Sequence, residues 1–322
     1  MKISKGYIVS GTLLGLALSL VVFVMGYSFV ILNNIQYENP GVTIPIETNL
    51  QTVEAPDNMK EGMEVPVFNE EKVWNVLLLG SDARPGDTGY GRSDAMILMT
   101  VNEKTGKIHL TSLMRAIYVS IPNEPDPRYA NNYTPNYMLN AAHTWGGPEL
   151  LLKTVQRNFR VDVPNYIAVN FEEFTEVIDA VGGVTINLTE AEAYHLGLAP
   201  GPQWMDGATA LDYSRIRKID SDFNRMGRQR KVIAALISKL RTVDVVTLAK
   251  TAEAIAPSLS TNYSKSELLS IISKTPSYQK YDMDELMLPI EEYDAIVYIN
   301  GMEMYDIDWA RNIDALHAHM RK

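Results

Sequence analysis

From Tyr7 to Leu32 the chain carries no charged side chain over 26 consecutive residues, YIVSGTLLGLALSLVVFVMGYSFVIL. As a helix this run would extend about 39 Å, long enough for a tilted crossing of a bilayer core. A cleaved signal peptide has an apolar region of roughly 7 to 15 residues before a small-x-small site. Here the run is longer, and only Gly26-Tyr27-Ser28 faintly approaches such a site. The expectation is therefore an uncleaved signal-anchor. Lys2 and Lys5 precede it, whereas Glu38, Glu47, Glu54 and Asp57 follow. The positive-inside bias then leaves residues 1–6 as a cytoplasmic tail, 7–32 as a transmembrane helix and the rest extracellular, at a cell membrane. Residues 33–72 are polar and proline-spotted and read as an extracellular linker, reaching roughly 35 Å as a flexible coil. The domain at 73–322 would stay close to lipid head groups.

Composition limits the chemistry of that domain. With no cysteine, disulfides, iron-sulfur clusters and thiolate zinc sites are excluded, so a resident metal would be held by carboxylates, histidines and water. Magnesium is the favoured expectation, with manganese as a substitute. A net charge of -10 argues against nucleic-acid binding, while leaving room for a local basic cluster that handles phosphate.

Short apolar or alternating runs at 73–79, 95–101, 108–113 and 118–121, bounded by turn residues, predict strands of a largely buried sheet. Pro148 suits the first turn of a helix over 148–158. A strand at 166–170, a helix at 171–181 stopped by Gly182-Gly183, and a strand at 184–188 follow. Helical runs near 245–255, 265–273 and 307–320 complete the tail without a linker-like break. The pattern predicts one α/β domain, a central mixed sheet flanked by helices.

Two clusters have the residue types for phosphate chemistry. Gly80-Ser81-Asp82-Ala83-Arg84 follows one apolar strand, and Arg92-Ser93-Asp94 opens the next. Strand ends are where α/β sheets place their sites. Carboxylate oxygens suit a hard cation and guanidinium forks suit phosphate oxygens; the plain alternative is two surface ion pairs. The second cluster gathers seven basic residues in the seventeen from Arg215 to Lys231. With Asp222 capping a helix to about Leu240, Arg225, Arg228 and Gln229 share a face at i, i+3 and i+4, and Arg230 points elsewhere. That face could grip a pyrophosphate, or it could be a solvated helix with ordinary ion pairs. Arg115, after a strand ending Ser112-Leu113-Met114, is a further candidate.

Other signals are weaker. His109, His143, His195, His317 and His319 show no metal-ligand spacing with a glutamate partner, and the pair His317 and His319 reads as a surface feature. Nucleophile-elbow, Walker and dinucleotide glycine motifs are missing from the sequence. Apolar positions of the 171–181 and 232–240 helices could line a lipid-sized pocket, but helical spacing more often means plain core.

The segments NVLLLGSDAR, GRSDAMIL, SLMRAIYVSIP, LNAAHTWGGPELLLKTV, NYIAVNFEEFTEVIDAVGGV and LDYSRIRKIDSDFNRMGRQRKV together resemble the LytR-CpsA-Psr (LCP) family of cell-wall polymer ligases. They fall in order between Asn75 and Val232, after a fitting N-terminal anchor. The resemblance implies an α/β domain that holds a polyprenyl-pyrophosphate-linked glycan in an apolar tunnel, with magnesium and arginines at its mouth. It also implies transfer of a glycosyl-phosphate polymer, such as teichoic acid or capsule, to peptidoglycan. Carried over by position, Asp82 and Asp94 would hold the metal. Arg84, Arg92, Arg115, Arg215, Arg217, Arg225, Arg228 and Gln229 would surround the pyrophosphate, with Arg115, Arg215 and Arg217 acting in catalysis.

Two positions depart from the family pattern. Ala116 stands where an aspartate usually follows the arginine, and Asn224 replaces a usual glycine. A methyl group cannot accept a proton or orient Arg115. The alternative to a transferase is therefore a catalytically silent binder of lipid-linked wall precursors. A third reading, a hydrolase of polyprenyl pyrophosphates, differs in using water as the acceptor.

Overall fold

The computed structural model describes residues 31–42, 44, 57–81, 89–216, 222–240, 242, 250–254, 256–290 and 295–322. Most of the expected membrane-spanning run and most of the expected helix at 245–255 lie outside these residues. Among the described residues no helix is long and apolar enough to cross a membrane. The strands in chain order are β1 (Gln36–Tyr37), β2 (Val73–Ser81), β3 (Ser93–Asn102), β4 (Lys107–Leu113), β5 (Tyr118–Ser120), β6 (Asn136–Met138) and β7 (Asn165–Asn170). They continue with β8 (Val184–Leu188), β9 (Gly201–Met205), β10 (Ser260–Thr261), β11 (Asp282–Leu288), β12 (Ala295–Ile299) and β13 (Met302–Asp306). The described helices are α1 (Asp57–Glu64), α2 (Leu139–Phe159), α3 (Phe171–Ala180), α4 (Glu190–Leu196), α5 (Gly207–Arg215), α6 (Asp222–Leu240), α7 (Lys265–Tyr278) and α8 (Trp309–Arg321).

Seven strands form the central sheet in the order β1-β10-β7-β2-β3-β4-β11. It is mixed, as expected: β2, β3 and β4 are antiparallel neighbours, while β7 runs parallel to β2 and β11 parallel to β4. The pleat divides the side chains. Leu77, Leu79, Met96 and Leu98 join the main core with Phe159 of α2 and Trp309 and Leu316 of α8. Leu78, Ile97, Met99 and Val101 face the other way, toward Ile233, Ala234 and Ile237 of α6. Burial on both faces explains why these strands read as nearly continuous apolar runs.

Local sequence sets the helix ends. In α2 the backbone leaves helical geometry at Gly146 and Gly147, and Pro148 begins the second half, so the expected helix is preceded by a further stretch from Leu139. The Asn170 side chain accepts from the Glu173 amide at 2.8 Å and the Glu173 carboxylate accepts from the Asn170 amide at 3.1 Å. This reciprocal cap fixes where β7 becomes α3.

The reading of 33–72 as a linker needs correction over its described part. β1 pairs in parallel with β10 at the sheet edge, and Met59, Met63 and Phe68 are buried in the main core. Met59 and Met63 stand four apart and form one apolar stripe on a short helix, a signal diluted by the surrounding proline and polar residues. α1 meets α8 where residue 62 has no side chain: a Cβ on Gly62 would lie 2.6 Å from Trp309 Cβ. Gly62→Val should destabilise the fold by about 1–3 kcal/mol through overpacking. An unchanged urea midpoint would show that α1 is not packed there.

His317 and His319, expected at the surface, are both buried. The apolar stripe of α8, with Ile313, Leu316 and Met320 fully buried, turns them inward. The His317 imidazole Nε2 donates to the Arg160 carbonyl at 2.8 Å.

Candidate functional site at the strand ends

Register builds the first part of the site. β3 and β4 pair with Ile97 opposite Ser112, and three further steps along both chains put Asp94 opposite Arg115. Their side chains meet there: Arg115 Nη1 donates to Asp94 Oδ1 at 2.9 Å, with 26% and 14% of the two side chains exposed. The backbone beneath Arg115 is tied on every side. The Met114 amide donates to the Leu288 carbonyl, Asn140 to the Arg115 carbonyl, Tyr305 to the Ala116 carbonyl, and Ile117 to the Met114 carbonyl, at 3.1, 3.1, 2.9 and 3.3 Å. Ala116 thus sits in a rigid turn beside Arg115.

The neighbouring strand end is held in the same way. The Ser81 hydroxyl donates to the Tyr90 carbonyl at 3.1 Å. The Gly91 carbonyl accepts from Thr144 Oγ1 at 3.1 Å and from His143 Nδ1 at 3.2 Å. Arg92, exposed, follows directly. The Tyr90 ring rests on Gly147, where positive φ and a would-be Cβ only 2.7 Å from the ring leave no alternative to glycine. Arg128 lies 5.6 Å above the same ring. Burial raises the Tyr90 phenol above its ordinary pKa, so it is neutral at pH 7. His143, which its sequence context gave no metal-ligand role, and Thr144, which was not singled out, both hold backbone, which leaves no chemical motif to find.

The basic cluster divides into three. Arg225 and Arg228 are 3% and 1% exposed, so this face of α6 is no solvated helix. Arg228 Nη2 donates to the Ile216 carbonyl at 2.6 Å, and its Nη1 stands 3.8 Å from Glu192. Glu192, buried itself, also accepts from the Tyr213 hydroxyl at 3.3 Å and caps α4 through the Thr189 amide. Arg215 is exposed at the last position of α5. Arg230 points elsewhere, as its helix position predicted, pairing with Glu285 of β11 at 2.5 Å. Asp82, Arg84 and Arg217 lie outside the described residues.

Between the sheet and the α3 and α6 helices lies a cavity of about 310 Å³. Its walls are Leu78, Ile97 and Ile167 of the sheet, Phe174 and Val177 of α3, and Ile233, Leu236, Ile237 and Leu240 of α6. The helical stripes that spacing alone would assign to plain core line this space instead. Gly80, Ala95, Asn170, Ser214 and Gln229 also border it. Gly80 and Ala95 are the chain neighbours of Ser81 and Asp94, and Ser214 adjoins Arg215. An apolar chamber therefore reaches the strand ends that carry the charged groups, an arrangement suited to an amphiphile with an anionic head. For a divalent cation, the donor chemistry at this end fits a hard ion: Asp94 supplies carboxylate oxygen, and Asp82 follows Ser81 in sequence.

The model of the LytR_cpsA_psr family matches residues 42–322. The Oceanobacillus iheyensis polyisoprenyl-teichoic acid–peptidoglycan teichoic acid transferase TagU is 36% identical over 240 residues, 73% of this chain and 71% of its own length. The Bacillus subtilis protein of the same name is 33% identical over 197 residues, 60% of this chain and 61% of its own. Among solved structures, TagT bound to LIIa-WTA has a TM-score of 0.63 at 24% identity, covering 80% of this chain and 94% of that one. That last likeness is one of fold.

Proposed function

We propose, for a chain that belongs to the LytR_cpsA_psr family, that it transfers a glycosyl-phosphate polymer from a polyprenyl-pyrophosphate carrier to peptidoglycan. The observation that carries this reading is the apolar cavity ending beside the Asp94–Arg115 pair; the names of the TagU relatives point the same way. A cavity of about 310 Å³ is at the lower end for ligand pockets, so it would take the prenyl units nearest the head group. The pyrophosphate would then lie among Arg92, Arg115, Arg215 and Gln229, joined by Arg84 and Arg217, with buried Arg225 and Arg228 behind them. Magnesium or manganese, held by Asp94 and Asp82, would supply further neutralisation of phosphate charge.

The peptidoglycan hydroxyl oxygen attacks the sugar-linked phosphorus and its proton is lost to a base. The bond from that phosphorus to the bridging oxygen breaks, and polyprenyl phosphate leaves with the electron pair. Arg115 and its neighbours act by fixing the two phosphates and meeting the charge that builds on the leaving oxygens, which is most of what phosphoryl transfer needs from a protein. The N-terminal run at 7–32 would anchor the chain in the membrane that holds the carrier, with the catalytic domain outside.

Ala116 favours a second reading, a binder of lipid-linked precursors. Both are tested with the full chain, labelled lipid-pyrophosphate glycan and peptidoglycan oligomers, with magnesium or chelator, beside Ala116→Asp. Magnesium-dependent product from the unaltered chain is expected. Product from Ala116→Asp alone, with lipid bound equally by both, would make the natural chain a binder, and glycan phosphate released without acceptor would make it a hydrolase. Ile237→Trp should weaken binding of long-chain prenyl pyrophosphates about tenfold by narrowing the cavity, at about 1.4 kcal/mol, while sparing a short-chain analogue. Equal weakening of both would remove the cavity from the reading.

A further inference from the structure

Away from the strand ends, three side chains from distant parts of the sequence converge on the other side of the sheet. His109 of β4 stands in register with Asp284 of β11, and His319 of α8 lies over them. The His109 and His319 rings are 4.7 Å apart at 66°, and His319 Nδ1 is 3.8 Å from Asp284 Oδ2. One donor atom from each of the three falls within 4.8 Å of the others. His109 is completely buried and His319 is 3% exposed. Among the described residues neither nitrogen of His109, nor Nε2 of His319, has a hydrogen-bond partner. Buried polar atoms are nearly always satisfied, so three orphaned nitrogens in one spot call for an explanation.

We propose that His109, His319 and Asp284 form a binding site for a divalent transition-metal ion of the zinc class, separate from the phosphate site. Two imidazoles and one carboxylate match the ligand preferences of such ions and not those of magnesium. Tetrahedral ligands at about 2.0–2.1 Å from zinc stand roughly 3.4 Å apart, so the side chains need to close by about an ångström. Burial lowers both imidazoles, His109 to about 4, so each ring is neutral at pH 7 with a lone pair to give. Asp284, with 39% of its side chain exposed, leaves a route for the ion and for a water as fourth ligand. Lys107 and Lys322 also act on these rings through their charge, which opposes a further positive charge there and lowers the affinity for the ion. The ion would clamp the C-terminal helix over β4 and the edge strand β11, joining segments that the chain itself brings together only through packing.

The test is zinc titration of the full chain by calorimetry at pH 7, with cobalt as a spectroscopic substitute. One zinc per chain is expected, with a rise in Tm of about 5 °C at a hundredfold excess over Kd, and cobalt should give the visible bands of a nitrogen-ligated, four- or five-coordinate ion. Asp284→Asn, at a half-exposed position that should fold normally, should weaken zinc at least tenfold. His109→Gln and His319→Gln should abolish binding, and His195→Gln, at an exposed histidine, should change nothing. Absence of stoichiometric zinc, zinc affinity unchanged in Asp284→Asn, or its loss in His195→Gln would overturn the proposal. None of these readings depends on transfer activity.

Discussion

Asp94→Asn should lower glycan transfer by about 10²–10³-fold while shifting Tm by less than about 3 °C. The substitution keeps the volume and one hydrogen-bond acceptor for Arg115 but removes the charge. Asp94 acts through the positive groups it holds, the Arg115 guanidinium and the cation, and losing one such preorganised group at a reacting phosphate costs roughly 3–4 kcal/mol in the transition state, which is the source of the rate figure. Its contribution to folding is much smaller, because the pair is partly open to solvent and such pairs contribute about 0–1 kcal/mol. Turnover and thermal unfolding measured on the same preparation separate the two. A loss below tenfold, or a variant that unfolds, would take Asp94 out of the catalytic site.

Arg228→Ala should act in the opposite way, on the fold before the chemistry. Removing the buried guanidinium takes the basic partner from buried Glu192 and strips the Ile216 carbonyl of its donor. Breaking a buried pair from one side costs about 3–5 kcal/mol, which for a domain of this size lowers Tm by roughly 10 °C. The paired change Arg228→Met with Glu192→Met should recover at least half of that loss, since apolar residues of similar volume often replace a buried ion pair without penalty. The double variant then becomes informative about function. If it is stable but inactive, Arg228 also acts on the pyrophosphate; if it is stable and active, its work is to hold the end of α5 next to the site. A single variant as stable as the parent would refute the buried pairing.

The sheet was largely legible because its central strands are buried on both faces and bounded by turn residues: the expected strands at 73–79, 95–101, 108–113 and 166–170 fall within β2, β3, β4 and β7. Outside it, the expected strand at 184–188 matches β8, which alternates buried and exposed side chains, and the helix from Asp222 to about Leu240 matches α6. β9 to β13 were not read: β10 is two residues long, β9, β11 and β13 are partly exposed and mix polar with apolar residues, and β12, although apolar throughout, is a five-residue run. The positions of Arg115 and Asp94 were legible one by one, but their contact was not, since it depends on register across a turn. The Arg228–Glu192 pair joins residues on separate helices, and nothing local to either announces it. The three converging histidine and aspartate side chains show the same limit more strongly: His109, Asp284 and His319 have no common motif, and only the parallel pairing of β4 with β11 and the fold-back of α8 bring them together.

The turn at 103–106 sets the geometry of the site from a distance. It is the only connection between β3 and β4, and its length decides which residue of one strand stands across from which residue of the other. One added or deleted residue there would slide the pairing by a step, send the side chain of residue 94 to the opposite face, and leave Arg115 across from an alanine or a serine. Substitutions at the exposed Lys104 and Thr105 should be accepted, whereas a side chain at Gly106, where φ is +68°, and changes of length should be rejected, so that among relatives with an intact site the spacing of this hairpin is expected to be invariant even where its exposed letters drift.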